Sequence, residues 1–190
     1  MNIGLFFGSF NPIHNGHLII ANIMVETTDL DEVWFVVTPQ NPFKKRNSLL
    51  HEFDRMDMVN QAIYDNYKLR ASDVEFSMPK PSYTIDTMTY LGSQHPNKVF
   101  NLILGADNLS HFHKWKNSEV LLENYALYIY PRPGVQPSDL IEHPKVKIVE
   151  APMIDLSATF IRKCLKSGFS IKYLVHDAVE QMIKAKGFYR

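Results

Sequence analysis

The chain has 190 residues, of which 45% are hydrophobic and 21% charged, proportions that are ordinary for a single globular domain. Its 20 basic and 20 acidic side chains cancel, so no overall field attracts nucleic acid or an anionic membrane, and anion binding must come from locally placed charge. No apolar run approaches the ~20 residues that cross a bilayer, and the N-terminus lacks the features of a signal peptide.

Short β-branched and aromatic runs alternate along the chain with segments of helical spacing. One helical face is predicted from Phe53, Met56, Val59 and Ile63. Another helix should follow Pro81, with Ser82 or Thr84 available as its N-cap. In chain order we expect strands at 3–7, 33–38, 67–71, 99–104, 125–130 and 146–149, and helices at 16–25, 53–63, 83–92, 157–166 and 176–186.

This alternation, together with continuously apolar strands, predicts an α/β fold with a doubly wound parallel sheet. We expect one domain over residues 1–190, in which the two C-terminal helices form a small additional part. Ligands of such sheets bind beyond the carboxyl ends of the strands, where the strand order reverses. The exit of the first strand, at residues 8–17, is therefore the first place to look for a site.

Residues 8–17 (GSFNPIHNGH) have the composition of a phosphate-binding loop between a strand and a helix. Gly8 permits a close approach of the backbone, and Ser9 offers a hydroxyl donor. The following helix start presents N–H groups with partial positive charge, to which His14 and His17 add two donors. The segment could also be an ordinary loop, or the histidine pair could bind zinc, but no third zinc ligand lies nearby in the sequence.

The same ten residues closely resemble the G-[TS]-F-[DN]-P-x-H-x-G-H signature of the nucleotidyltransferase superfamily, which implies a Rossmann-like nucleotidyltransferase fold. The resemblance implies that His14 and His17 contact the phosphates of ATP and stabilise charge in the transition state, and that Gly8, Ser9 and Phe10 line the ATP site. Phe7 stands where many members have a second glycine, and Asn11 replaces the commoner aspartate.

A second segment, residues 156–162 (LSATFIR), resembles the I-S-S-T-x-I-R motif of that superfamily. From the residues alone, Ser157 is a good N-cap, and Thr159 and Arg162 lie on one side of the helix near its positive end. The resemblance assigns all three to the ATP phosphates, so that the helices after residue 157 complete the ATP site. Cys164, the only cysteine, lies on the apolar side of this helix; it excludes an intrachain disulfide and fits a reducing cytoplasm.

Two further loops carry basic side chains. Lys44 belongs to a basic run, residues 44–46, which by itself would be a solvated surface. Many relatives have a lysine in this loop that approaches the phosphates, and the resemblance makes Lys44 the choice. Arg132 lies in an R-P-G segment that is similar to a loop of the same family, and it is a weaker candidate for binding the second substrate.

Three segments narrow the resemblance to the bacterial nicotinate-mononucleotide adenylyltransferases. Residues 82–87 (SYTIDT) are similar to the segment that holds nicotinate in that family, residues 105–108 (GADN) to its G-x-D-N, and residues 112–115 (FHKW) to its F-x-x-W. They imply that Gly105 and Asp107 bind ATP, and that Tyr83, Thr84, Asn108 and Trp115 bind the mononucleotide. Chemically, Asp107 can accept two ribose hydroxyls and Trp115 can stack on a pyridinium ring. Plain packing of Trp115 and plain capping by residues 83–84 remain alternatives.

The resemblance as a whole implies a cytoplasmic enzyme that joins nicotinate mononucleotide to the AMP of ATP in NAD biosynthesis. Nicotinamide mononucleotide or phosphopantetheine are the alternative substrates. The expected cofactor is Mg²⁺, bound mainly through ATP phosphates rather than at a metal site of the protein. We expect ATP and the mononucleotide as partners and neither nucleic acid nor membrane; the sequence leaves open a homo-oligomer.

Overall fold

A six-stranded parallel sheet forms the centre of the protein in the computed structural model, which describes residues 1–39, 49–135 and 138–190. The order of its strands is β3-β2-β1-β4-β5-β6. The chain thus builds outward from β1 to β3, returns to the other side of β1, and builds outward again. The strands are β1 (Asn2–Gly8), β2 (Glu32–Val37), β3 (Leu69–Ser72), β4 (Val99–Gly105), β5 (Leu127–Tyr130) and β6 (Val146–Ile148).

Helices cover both faces of the sheet, because successive residues of each central strand point to opposite faces and both sets are apolar. The helices are α1 (Asn15–Thr27), α2 (Glu52–Ile63), α3 (Thr84–Gln94), α4 (Ala106–Leu109), α5 (Ser118–Asn124), α6 (Ala158–Lys166) and α7 (Asp177–Lys186). Leu5 packs with α3 and α5 on one face, whereas its neighbour Phe6 packs with α1, α2, α6 and α7 on the other. The predicted doubly wound parallel fold is confirmed.

Several details differ from the sequence predictions. The third strand starts at Leu69, and Tyr67 is 86% exposed. Phe53 was expected on the buried face of α2, but it is 61% exposed. At 100° per residue, Phe53 lies on the opposite side of the helix from Met58 and Ala62. Arg55 belongs to the buried side of α2.

The two C-terminal helices lie against the face that α1 and α2 already cover. Ile161 and Cys164 of α6 and Ile183 of α7 are buried in that core. The Lys186 ammonium lies 2.8 Å from Oδ1 of Asp54 on α2. This packing carries the N-terminal end of α6 to the carboxyl ends of the strands. Within the described ranges, no helix combines the length and apolarity that a membrane span needs.

Candidate active site

A cavity of ≈ 1090 Å³ opens where the order of the strands reverses. β1 and β4 are neighbours there, and they end at Gly8 and Gly105, both of which line the cavity. A Cβ atom at Gly105 would collide with Oδ1 of Asp107, so a larger residue there would displace this carboxylate. The cavity also brings together the other predicted site residues, namely Ser9, Phe10, His14, His17, Tyr83, Thr84, Asp107, Asn108, Trp115, Arg132, Ser157, Thr159 and Arg162. Lys44 lies outside the described residues.

The loop between β1 and α1 folds back tightly on the end of its strand. Phe10 has a left-handed backbone (φ 44°), and its buried ring packs edge-on against Phe35 and His17. A Cβ atom at Gly8 would lie 2.7 Å from that ring, which explains the glycine. Phe10, predicted to bind ATP, therefore uses its buried side chain to anchor the loop, and the residue also lines the cavity.

The two histidines of this loop stack on each other at the start of α1, with ring centroids 3.6 Å apart. The main-chain N–H of His14 donates to Nδ1 of His17 over 3.3 Å. Because Nδ1 of His17 accepts this bond, its ring proton is on Nε2, which makes Nε2 a hydrogen-bond donor. His17 thus has a defined tautomer suited to a phosphate oxygen.

His14 is buried, and burial together with the nearby charge of Arg132 lowers its pKa to about 4. Its imidazole is therefore neutral at pH 7, and its Nδ1 has no hydrogen-bond partner among the described residues. A buried polar atom without a partner is costly unless a ligand or water satisfies it. The positive charge of the site must therefore come from the arginines and lysines rather than from this histidine.

Arg162 connects the C-terminal part of the chain to the first loop. Its Nη1 donates to the carbonyl of Asn11 over 2.8 Å, and its Nη2 donates to Oγ1 of Thr159 over 3.2 Å. Ser157 caps α6 as predicted, since its Oγ accepts from the N–H of Phe160. Segments some 150 positions apart therefore meet on one side of the molecule, as a shared triphosphate site requires.

Arg132 lies on the wall formed by β5 and α4. Its Nη2 donates to the Tyr130 hydroxyl over 3.3 Å, and its Nε lies 3.7 Å from Oδ1 of Asp107. Its charge also lowers the pKa of His14. Arg132 was predicted at the second substrate, but it also lies near the histidines of the first loop, with which it lines a small pocket.

Tyr83, Thr84 and Trp115 line the cavity from the side of α3, which packs on the sheet face opposite α1. The Trp115 ring packs at 5.3 Å against buried Phe112 and still reaches the cavity. The predicted cap of α3 is wrong: Tyr83 holds the N-cap position without a side-chain cap bond, because the Ser82 hydroxyl donates to buried Glu75 instead. The first-turn N–H groups of α3 thus receive no side-chain cap from the described residues, which suits a ligand carboxylate.

Sequence reasoning missed Arg55, a guanidinium that is fully buried behind the first loop. It donates to four main-chain carbonyls, those of Ser9, Thr38, Pro39 and Leu50. It thereby joins the ends of β1 and β2 beneath the cavity. The available signal was its place on the buried side of α2, between Met58 and Val59 in helical projection.

Comparison with known proteins agrees with this geometry. The cytidylyltransferase-like family model matches residues 5–164. A Cytophaga hutchinsonii protein named "Probable nicotinate-nucleotide adenylyltransferase" is 60% identical over 189 residues, which cover 100% of this chain and 98% of that protein. The chain belongs to the nicotinate-nucleotide adenylyltransferases of the cytidylyltransferase-like family.

Other relatives of this adenylyltransferase family agree in length and fold. A Flavobacterium johnsoniae protein of the same name is 48% identical, and the match covers 100% of both chains. The nicotinic acid mononucleotide adenylyltransferase of Plasmodium falciparum, solved in complex with NaAD, superposes with a TM-score of 0.85 at 24% sequence identity. The match covers 99% of this chain and 97% of that protein. At that identity the likeness concerns the fold alone, and the same nucleotidyltransferase fold is present in full.

Proposed function

We propose that this member of the adenylyltransferase family transfers AMP from ATP to nicotinate mononucleotide, giving nicotinate adenine dinucleotide and pyrophosphate. One observation carries the proposal: a single cavity joins a phosphate-binding end, with His14, His17 and Arg162, to an end suited to an aromatic carboxylate, with Thr84 and Trp115. The relatives of 60% and 48% identity carry the name of this activity.

The phosphate of the mononucleotide is the nucleophile. One of its oxygens attacks the α-phosphorus of ATP, the bond between the α-phosphorus and the bridging oxygen to the β-phosphate breaks, and pyrophosphate leaves. A phosphate is already ionised at pH 7, so the reaction needs no general base, and catalysis consists of positioning and charge stabilisation.

The phosphate-binding end supplies that stabilisation. Nε2–H of His17 and the neutral imidazole of His14 donate to phosphate oxygens, while Arg162 and Lys44 add positive charge. Gly8, Ser9 and Phe10 shape the loop, and Ser157 and Thr159 bring the start of α6 to the same phosphates. The helices after residue 157 would thus complete the ATP site of a single domain.

Each of the remaining predicted residues binds either ATP or the mononucleotide. Gly105 lets the ATP nucleoside lie against the end of β4, where Asp107 accepts its ribose hydroxyls. Trp115 offers a face to the pyridinium ring, and the first turn of α3 at Tyr83 and Thr84 receives the ring carboxylate. Asn108 and Arg132 would bind the mononucleotide from the wall that they share with Asp107.

The family's chemistry implies a divalent cation, for which we propose Mg²⁺. The described residues group no three His, Cys, Asp or Glu side chains as ligands, whereas the donors that line the cavity suit phosphate. These residues therefore fit a cation held by triphosphate oxygens and water. When bound, the cation neutralises charge on the leaving pyrophosphate.

A cytoplasmic location and assembly into a homo-oligomer belong to the proposal as well.

The decisive experiment incubates the purified protein with ATP and Mg²⁺ and adds one acceptor at a time. Nicotinate mononucleotide, nicotinamide mononucleotide and phosphopantetheine are compared by pyrophosphate release and by identification of the adenylylated product. We expect the highest kcat/KM with nicotinate mononucleotide. Turnover with phosphopantetheine alone, or with none of the three, would refute the proposed function.

A further inference from the structure

Lys116 follows Trp115, which packs in the core on the sheet face opposite α1 and its phosphate-binding histidines. It lines the cavity next to Trp115, and its ammonium is 4.7 Å from the centroid of the Tyr83 ring. The same ammonium lies 2.9 Å and 3.2 Å from the two carboxylate oxygens of Asp86 in the first turn of α3. Lys116 therefore stands beside the helix start that would receive the carboxylate of nicotinate.

The charge of this side chain is only partly used by the protein. An ammonium has three N–H donors, and Asp86 accepts through two oxygens, so at least one donor remains for a ligand. Both side chains are nearly half exposed, at 43% and 47%. An ion pair so open to water contributes little to the stability of the fold, so stability does not explain the position of this lysine.

Nicotinate and nicotinamide mononucleotides differ only in the group on the pyridine ring, which is a carboxylate in one and a neutral carboxamide in the other. The uncapped N–H groups of α3 can bond to the oxygen of either group, so they discriminate weakly. An ammonium beside them that keeps one N–H donor for the ligand favours the carboxylate, because a charged oxygen accepts this bond more strongly than the oxygen of a neutral carboxamide does.

We propose that Lys116 is a specificity-determining residue that favours the pyridine nucleotide with a ring carboxylate over the one with a carboxamide. This inference rests on the proposed function and deepens it. Asp86 holds the ammonium against Tyr83, and the arriving substrate buries the pair and displaces water from it, which strengthens the attraction. At a half-exposed site we expect an effect of roughly three- to tenfold on the ratio of the two substrates.

The test measures kcat/KM for both mononucleotides with wild-type protein, Lys116→Met and Lys116→Arg. We expect the acid-to-amide ratio to fall about three- to tenfold in Lys116→Met, mainly through the KM of nicotinate mononucleotide, and to be largely retained in Lys116→Arg. Calorimetric titration with each mononucleotide gives the same comparison without turnover. Lys116→Gln replaces Lys116→Met if the latter does not fold.

Lys98→Met is the matched control, because Lys98 also stands over an aromatic ring, 4.4 Å from that of Trp34, but at the start of β4 and away from the cavity. Its ratio should equal that of the wild type. An unchanged ratio in Lys116→Met, an equal loss for both substrates, or the same fall in Lys98→Met would overturn the inference. Failure of the wild type to use either mononucleotide would instead overturn the proposed function.

Discussion

At the scale of single residues, the most unusual group is His14, a buried histidine at the N-terminus of α1. Most histidines near phosphates are expected to carry charge, yet burial and the neighbouring Arg132 hold its pKa at about 4, against 6.5 when unfolded. Its neutrality means that it acts as a hydrogen-bonding group of fixed position, and that the folded state resists its protonation.

This resistance predicts how stability depends on pH. Between pH 6.5 and 4 the unfolded chain binds a proton at His14 that the folded chain does not, so the free energy of unfolding falls as the pH falls. From pH 7.5 to pH 5 the free energy of unfolding of the wild type should fall by about 2 kcal/mol more than that of His14→Gln. Urea unfolding at the two pH values measures the difference. His113→Gln, at an exposed histidine, serves as the control. If both variants reduced the pH dependence of the free energy of unfolding by a similar amount, this dependence could not be attributed to His14.

At the scale of elements, the sequence predicted all six strands and, among the α-helices of the described residues, all but α4 and α5, with errors of a few residues at the ends. Short apolar runs rich in β-branched residues, such as residues 33–37, favour buried strands, and a motif that joins strand to helix locates the site between them. The N-cap of α3 was not predictable, because the Ser82 hydroxyl is taken by Glu75, a carboxylate whose burial raises its pKa. The burial of Arg55 was not predictable either, because its hydrogen-bond partners are main-chain carbonyls from distant segments.

The C-terminal tail is a second element whose role appears only in three dimensions. The hydroxyl of Tyr189, just after α7, donates over 2.8 Å to Oδ1 of buried Asn11, which also accepts from the N–H of Leu50. Asn11 in turn receives Arg162 at its carbonyl. The C-terminal tail therefore holds Asn11, in the middle of the phosphate-binding loop, in place.

Tyr189→Phe removes only this hydroxyl and leaves the ring in place. We expect the free energy of unfolding to fall by about 1 kcal/mol, because Oδ1 of Asn11 loses one of its donors in a buried position. The KM for ATP should rise as the loop becomes less well fixed. Tyr64→Phe is the matched control, since Tyr64 is 73% exposed. Equal unfolding energies and equal KM values in the two variants would show that the contact has no such role.

At the scale of the whole molecule, the order of the strands decides where the two ends of the chain meet. Alternating strands and helices predict a doubly wound sheet, but they do not determine which strand becomes central. Because β1 and β4 are neighbours at the centre, their exits form the floor of one cavity, and the C-terminal helices can close it over the first loop. ATP would then bind across segments from the start, middle and end of the chain.

Such a ligand should stabilise the chain as one cooperative unit. At a concentration of 100 Kd, a non-hydrolysable ATP analogue adds about 2.7 kcal/mol to the free energy of unfolding. For a domain of this size that corresponds to a rise in Tm of about 5–10 °C. We expect one calorimetric transition that moves as a whole, and a much smaller shift at the same concentration in Arg162→Met. Two transitions, of which only one responds to the analogue, would mean that the C-terminal helices unfold independently of the sheet and do not share its nucleotide site.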